Sequence, residues 1–199
     1  MSRGLSKDPG NLARRLFHVG AGSFTPVLAF FLPRPWVLAL AGLVALLLVI
    51  GELTRFAFPV ANLTFRKWLG FLLKPGEEGR VTAATYMALA TVMALILFSQ
   101  EIAALGVLFL SLGDPAASVV GRRFGRWRVG AKSLEGSLAF LAVALVVAGA
   151  YYFGGRAERY WPLAVGSVVA AMVELLPLPV DDNLWVPLAA GGAMALLGA

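Results

Sequence analysis

Three groups of residues in this 199-residue chain could do chemistry, and each sits at the edge of an apolar stretch. The first is Asp114, in the run Ser111-Leu-Gly-Asp-Pro-Ala-Ala-Ser118. A carboxylate at membrane depth is expensive to bury, so its presence asks for a use. Gly113 followed by Asp114-Pro115 reads as a helix break and restart, with Asp114 as the N-cap and Pro115 at the first helical position. Asp114 then either caps a half-helix inside a bundle or, from a broken span, faces a polar cavity where a divalent metal can sit. The cost of an intramembrane carboxylate favours the second.

The second group follows directly. Residues 121–137 hold four glycines, among them Gly121, Gly125 and Gly136, and five cationic side chains, Arg122, Arg123, Arg126, Arg128 and Lys132. Glycine lets backbone amides approach an anion, while Arg and Lys contact phosphate oxygens as forks and point charges. A Walker A loop is excluded, because Ala131 separates Gly130 from Lys132-Ser133 and an apolar span rather than a strand comes first. A merely cytoplasmic loop would also be basic. Glycine interleaved with charge, immediately after Asp114, suits a polyphosphate bound with Mg²⁺.

The third group is Glu174-Leu-Leu-Pro-Leu-Pro-Val-Asp181-Asp182-Asn183. Pro177 and Pro179 stop a helix, and Asp181-Asp182-Asn183 opens the next one. Adjacent carboxylates repel unless a cation or strong hydrogen bonds offset them, and one cap uses only one of them. Glu174 could complete a metal site, act as a base on a substrate hydroxyl, or pair with a nearby Arg. The single histidine, His18, lies in Arg14-Arg15-Leu-Phe-His18, where helical spacing puts both arginines and the imidazole on one face. That face suits an anion, although a lone His is more often a packing residue. No nucleophile elbow accompanies it, so Ser-His-Asp hydrolysis is not expected. Carboxylates from two regions beside a cationic Gly-rich loop are the equipment of metal-assisted phosphoryl or nucleotidyl transfer.

The elements that must position these groups are set by composition. Hydrophobic residues make up 59% and charged residues 14%, where a soluble domain carries roughly 25% charge. Zero cysteines exclude thiolate metal sites, thiol nucleophiles and disulfides. Seven apolar segments recur, at about 17–32, 36–53, 82–99, 102–120, 136–154, 160–176 and 184–198. Several fall short of the ~20 residues that cross a hydrocarbon core. The stretch 55–74 is apolar but interrupted by Pro59, Asn62, Thr64, Arg66 and Lys67, and reads as an interfacial amphipathic helix. With the N-terminus in the cytoplasm, fourteen Lys and Arg fall on inside segments and three, Arg34, Arg156 and Arg159, on outside ones. The expectation is one domain over 1–199: an all-α polytopic membrane protein of about seven transmembrane helices, N-terminus cytoplasmic, with an active site on the cytoplasmic face. The net charge of +6 is dispersed over membrane-proximal loops with no recognition module, so nucleic acid is not an expected partner.

The run Gly113-Asp114-Pro-Ala-Ala-Ser-Val-Val-Gly121-Arg-Arg-Phe-Gly125, followed by Lys132-Ser133-Leu-Glu135-Gly136-Ser137, resembles the CTP-dependent lipid kinases, a family that includes dolichol kinase, phytol kinase and the CTP-using diacylglycerol kinase of fungi. Arg14-Arg15-Leu-Phe-His18 is similar to the family's N-terminal motif, and Glu174 with Asp181-Asp182-Asn183 and Pro187 to its C-terminal one. The resemblance implies transfer of the γ-phosphate of CTP to the hydroxyl of a membrane lipid alcohol, isoprenoid or diacylglycerol, with Mg²⁺ or another divalent cation. By matching positions, Asp114 with Asp181 or Asp182 would serve the metal, and Lys132, Gly121 and Arg122 would hold the triphosphate, with Gly113, Arg123, Gly125, Ser133, Gly136 and Asn183 in the same binding motifs. Arg15 and His18 would lie near the nucleotide or the lipid hydroxyl. The nearest alternative is phosphatidate cytidylyltransferase, whose longer Asp-rich C-terminal signature is absent here. A non-catalytic protein that binds anionic lipid through its basic loop is the third reading.

Overall fold

The computed structural model describes residues 9–70, 73 and 79–199. Eight helices account for most of them: α1 (Pro9–Leu28), α2 (Arg34–Ala57), α3 (Pro59–Leu69), α4 (Ala83–Leu97), α5 (Gln100–Phe124), α6 (Leu134–Phe153), α7 (Trp161–Leu175) and α8 (Asp182–Leu196). Each expected apolar segment is a helix, and the interrupted stretch after Arg55 contains the short α3, which buries none of its side chains. Among the described residues, α2, α5 and α6 are long and apolar enough to cross a membrane, while α4 and α7 are apolar but shorter. At fifteen residues each, α4 and α7 reach about 22 Å against a hydrocarbon core of about 30 Å. Arg3, Lys7 and Lys74, counted with the inside segments, lie outside the described residues.

Helix ends follow from local chemistry. The Ser99 hydroxyl accepts from Ile102 N at the start of α5, Ser133 accepts from Gly136 N at the start of α6, and Asp181 accepts from Asn183 N at the start of α8. Pro177 and Pro179 keep 176–181 out of a helix. Consecutive long helices alternate in direction. Arg14 bonds the Leu73 carbonyl at one end, while at the other Gln100 bonds the carbonyls of Ala29 and Leu32 and Arg34 bonds that of Leu95.

The core is built on α5, which packs against α6, α8 and α1. Phe109, Phe140, Leu105, Leu163 and Met194 are fully enclosed there. Large apolar side chains such as Leu46, Leu47, Leu53, Ile96, Val146 and Phe153 face outward, as lipid-facing surfaces do.

Two expectations are corrected. The break at Gly113-Asp114-Pro115 does not occur: α5 runs unbroken with Pro115 inside it, and Asp114 is a mid-helix residue rather than an N-cap. Proline removes one hydrogen bond, to the Ser111 carbonyl, a cost of about 3 kcal/mol or more in a helix interior. Burial of α5 on several sides outweighs it. Gly113 serves packing instead, since a Cβ there would lie 2.7 Å from the Phe140 ring. The basic loop is also shorter than 121–137, because Gly121, Arg122, Arg123 and Phe124 are the last turn of α5. What remains carries an antiparallel hairpin of β1 (Arg128–Val129) and β2 (Lys132–Ser133), turned by Gly130 at φ 61. Positive φ at the first turn position is what a two-residue II′ turn demands, and Gly supplies it without steric cost.

Candidate active site

The polar groups gather at one end of the bundle, where α2, α5 and α7 finish and α4, α6 and α8 begin. Two cavities open there. One, of about 220 Å³, is lined by Asp114, Ser118, Gly121, Arg122, Arg128, Lys132, Ser133, Gly136, Glu174 and Asp182. The other, of about 260 Å³, is largely apolar and is bounded by α1, α2, α3, α4 and α5. Its polar residues include Arg14, Arg15, His18, Glu52 and Arg55. Asp114 and Ser118, one helical turn apart, border both cavities. Pro115 and Gly113 occupy buried positions on α5, while the Asp114 carboxylate stays 28% exposed and 4.0 Å from His18 Nε2.

Lys132 organises the polar cavity. The hairpin carries it to the gap between α7 and α8, where it donates to the Glu174 carbonyl and, at 2.6 Å, to Asp182 Oδ2. A cation at a helix C-terminus meets unpaired carbonyls and the negative end of the dipole, and an anion in the first turn of the next helix meets the positive end. Glu174, only 4% exposed, lies 3.5 Å from Lys132 Nζ through Oε1 and accepts from the Ser137 hydroxyl at 2.5 Å through Oε2. The buried carboxylate is thus paired and hydrogen-bonded, as burial requires.

The glycines of the basic segment close the α5–α6 seam. A Cβ on Gly121 would meet the Ser133 hydroxyl at 2.7 Å, and one on Gly136 the Ala117 carbonyl at 2.9 Å. Small residues allow such approach, and the start of α6 thereby lies against the polar cavity. Glu135 braces the segment from outside, accepting from the Arg126 and Trp127 backbone N–H groups.

Several expected site residues stand elsewhere. Arg123 and Gly125 line a separate cleft with Trp127 and Glu135, and the Arg123 guanidinium stacks 5.3 Å from the Phe124 ring. Gly113 packs on Phe140, and Asn183 is buried with its amide donating to Asp181, which caps α8. Among the described residues, no three His, Asp or Glu side chains stand close enough to hold a metal ion unaided. Magnesium seldom needs that many, since it uses one or two carboxylates with substrate phosphates and water. Asp114 and Asp182, hard oxygen donors on one cavity, fit that requirement.

Glu52 and Arg55, to which the sequence assigns no site role, form a second buried cluster at this end. They are 7% and 3% exposed, with Arg55 Nε 2.6 Å from Glu52 Oε2. The other Glu52 oxygen accepts from Thr82 N at 2.8 Å and from the Thr85 hydroxyl at 3.1 Å, and Arg55 donates to the Arg80 carbonyl. An acid and a base three apart inside an apolar helix were the available signal.

No family model matches the chain, and no solved structure matches it. Curated relatives do. A phytol kinase of Synechocystis is 30% identical over 197 residues, covering 92% of this chain and 78% of its own. A CTP-dependent diacylglycerol kinase of Schizosaccharomyces pombe is 25% identical over 162 residues, 74% of each chain. The dolichol kinase of Saccharomyces cerevisiae is 42% identical over 45 residues, 22% of this chain and 9% of its own.

Proposed function

This chain belongs to the family of CTP-dependent lipid kinases, and from that premise we propose that it transfers the γ-phosphate of CTP to the hydroxyl of a membrane lipid alcohol. The observation that carries the reading is that one carboxylate, Asp114, borders a cationic polar cavity on one side and an apolar cavity on the other. A triphosphate and a lipid need such unlike surroundings, and the atoms that react must lie where the two meet.

In the polar cavity Lys132, Arg122 and Arg128 receive the phosphates. Lys132 exchanges its contact with Asp182 for a phosphate oxygen, and the dipole at the start of α6 favours an anion. The apolar cavity takes the acceptor, with its hydroxyl at Asp114 and His18. The hydroxyl oxygen forms a bond to the γ-phosphorus while the bond from that phosphorus to the β–γ bridging oxygen breaks. CDP leaves with the electron pair, and the hydroxyl proton passes to the His18 imidazole beside Asp114. Phosphoryl transfer of this kind is catalysed by alignment and charge neutralisation. Asp114 and Asp182 would hold a divalent cation, which when bound neutralises charge on the β- and γ-phosphates. The site lies on the cytoplasmic face of a seven-span bundle, with α3 at the interface, a topology supported by the excess of Lys and Arg on the segments at this end.

The test is CDP release by purified protein in mixed micelles containing CTP, Mg²⁺ and a panel of isoprenoid alcohols and diacylglycerol. Wild type is expected to release CDP with at least one alcohol, and Asp114→Asn to lose on the order of 10²-fold or more in kcat. Full activity of Asp114→Asn would remove Asp114 from the chemistry.

A further inference from the structure

A third cavity, of about 180 Å³, continues the apolar one away from Asp114. The two share Phe17, Leu48, Ala84 and Met87, so they form one track that begins at the Asp114 carboxylate and descends between α1 and the facing sides of α2 and α4. The deeper part is lined by small side chains, including Ala21, Gly22, Ala41 and Ala88. Its closure is fixed at Gly22, where a Cβ would stand 2.7 Å from Ser111 Cβ and 3.0 Å from Met87 Sδ. The Thr91 hydroxyl on its wall already donates to the Met87 carbonyl at 2.8 Å and makes no demand on an occupant.

Resting on the kinase reading above, we propose that this slot binds the hydrocarbon chain of the acceptor, that the acceptor is therefore a single-chain alcohol, and that Ala88 and its neighbours set how much chain is bound. The shape favours one chain over two: the deeper part is a narrow slot walled by single faces of α1, α2 and α4, with Ala21, Ala41 and Ala88 among its lining, and it takes one linear or methyl-branched chain laid along it rather than a pair side by side. Its continuity with the carboxylate aligns such a chain so that its terminal hydroxyl arrives at Asp114 and His18. An apolar chain in an apolar slot carries no orientation of its own, so this alignment comes from shape and from the polar groups at one end only.

Ala88→Phe fills the slot and leaves the Asp114 end open. With geranylgeraniol, kcat/KM should fall about 10- to 100-fold, mostly through KM, whereas geraniol, half as long, should change by less than about threefold because it ends before the block. Equal losses on both alcohols would overturn the assignment of the slot. A geranylgeraniol analogue with a diazirine at its far end supplies a measurement on the unaltered protein: label on peptides covering 41–48 and 84–91 supports the slot, and label on the outward face of α6 overturns it. Wild type should also prefer geranylgeraniol to dioleoylglycerol by more than about tenfold. Comparable rates on the two would overturn the single-chain inference while leaving the kinase reading intact, and no phosphorylation of any alcohol would instead sink the kinase reading.

Discussion

Replacing Glu52 with Leu leaves Arg55 buried without its nearest counter-ion. The pair is almost fully enclosed, with Glu52 at 7% and Arg55 at 3% exposure, so solvent cannot rehydrate the guanidinium without opening the end of α2. Breaking a buried pair by removing one partner costs about 3–5 kcal/mol. The same change strands the Thr82 backbone N–H, worth about 1–3 kcal/mol if it finds no other acceptor, although the two terms share one relaxation and will not add in full. For a chain of this length each kcal/mol lowers the melting temperature by roughly 2–4 °C, so Glu52→Leu should melt at least about 6 °C below wild type. Glu52→Leu combined with Arg55→Met removes both charges, and a buried pair replaced by apolar groups of similar size is often near neutral. The double variant should therefore recover more than half of the loss. The assay is helical circular dichroism against temperature in one detergent at one scan rate, because membrane proteins unfold irreversibly and apparent midpoints depend on rate. A single variant melting within about 2 °C of wild type, or a double variant no more stable than the single, would show that this pair is not a buried latch joining α2 to the start of α4.

Lys132→Met should raise the KM for CTP and cut kcat/KM by on the order of 10²-fold, with Lys132→Arg recovering part of it, as expected of a residue proposed to supply charge to phosphate; steady-state kinetics with CTP varied would show this, and an unchanged KM would contradict it. Gly113→Ala should destabilise by about 1–3 kcal/mol, because the new methyl would lie 2.7 Å from the Phe140 ring. Phe140→Leu in the same chain should restore part of that stability, as read from the thermal midpoint.

The helices were legible because apolar residues recur in stretches of helical length, and the start of α8 because Asp181-Asp182-Asn183 follows a proline-bearing turn. The unbroken α5 was not. Gly-Asp-Pro is a breaking signal locally, and it is overruled by packing on elements distant in the chain, with Phe140 against Gly113 and Ser23 hydrogen-bonded to Ser111 at 3.0 Å. The order of the site's parts could be read, but not their division into two cavities. That division depends on α1 carrying His18 to Asp114 and on the hairpin carrying Lys132 to Asp182, both long-range consequences of the fold. Glu52 and Arg55 had a sequence signal, a charged pair inside an apolar run, whereas their acceptors and donors at Arg80, Thr82 and Thr85 lie beyond any helical spacing.

Transfer of the γ-phosphate of CTP to a lipid hydroxyl at Asp114 can be read directly from the fate of each phosphorus. The purified protein is incubated with lipid alcohols and phosphatidate and with CTP labelled at either the α- or the γ-phosphorus, with Asp114→Asn as the control. Label should enter the lipid product from the γ position alone and be abolished in the variant. Label reaching lipid from the α position would contradict γ-phosphate transfer and identify the chain as a cytidylyltransferase.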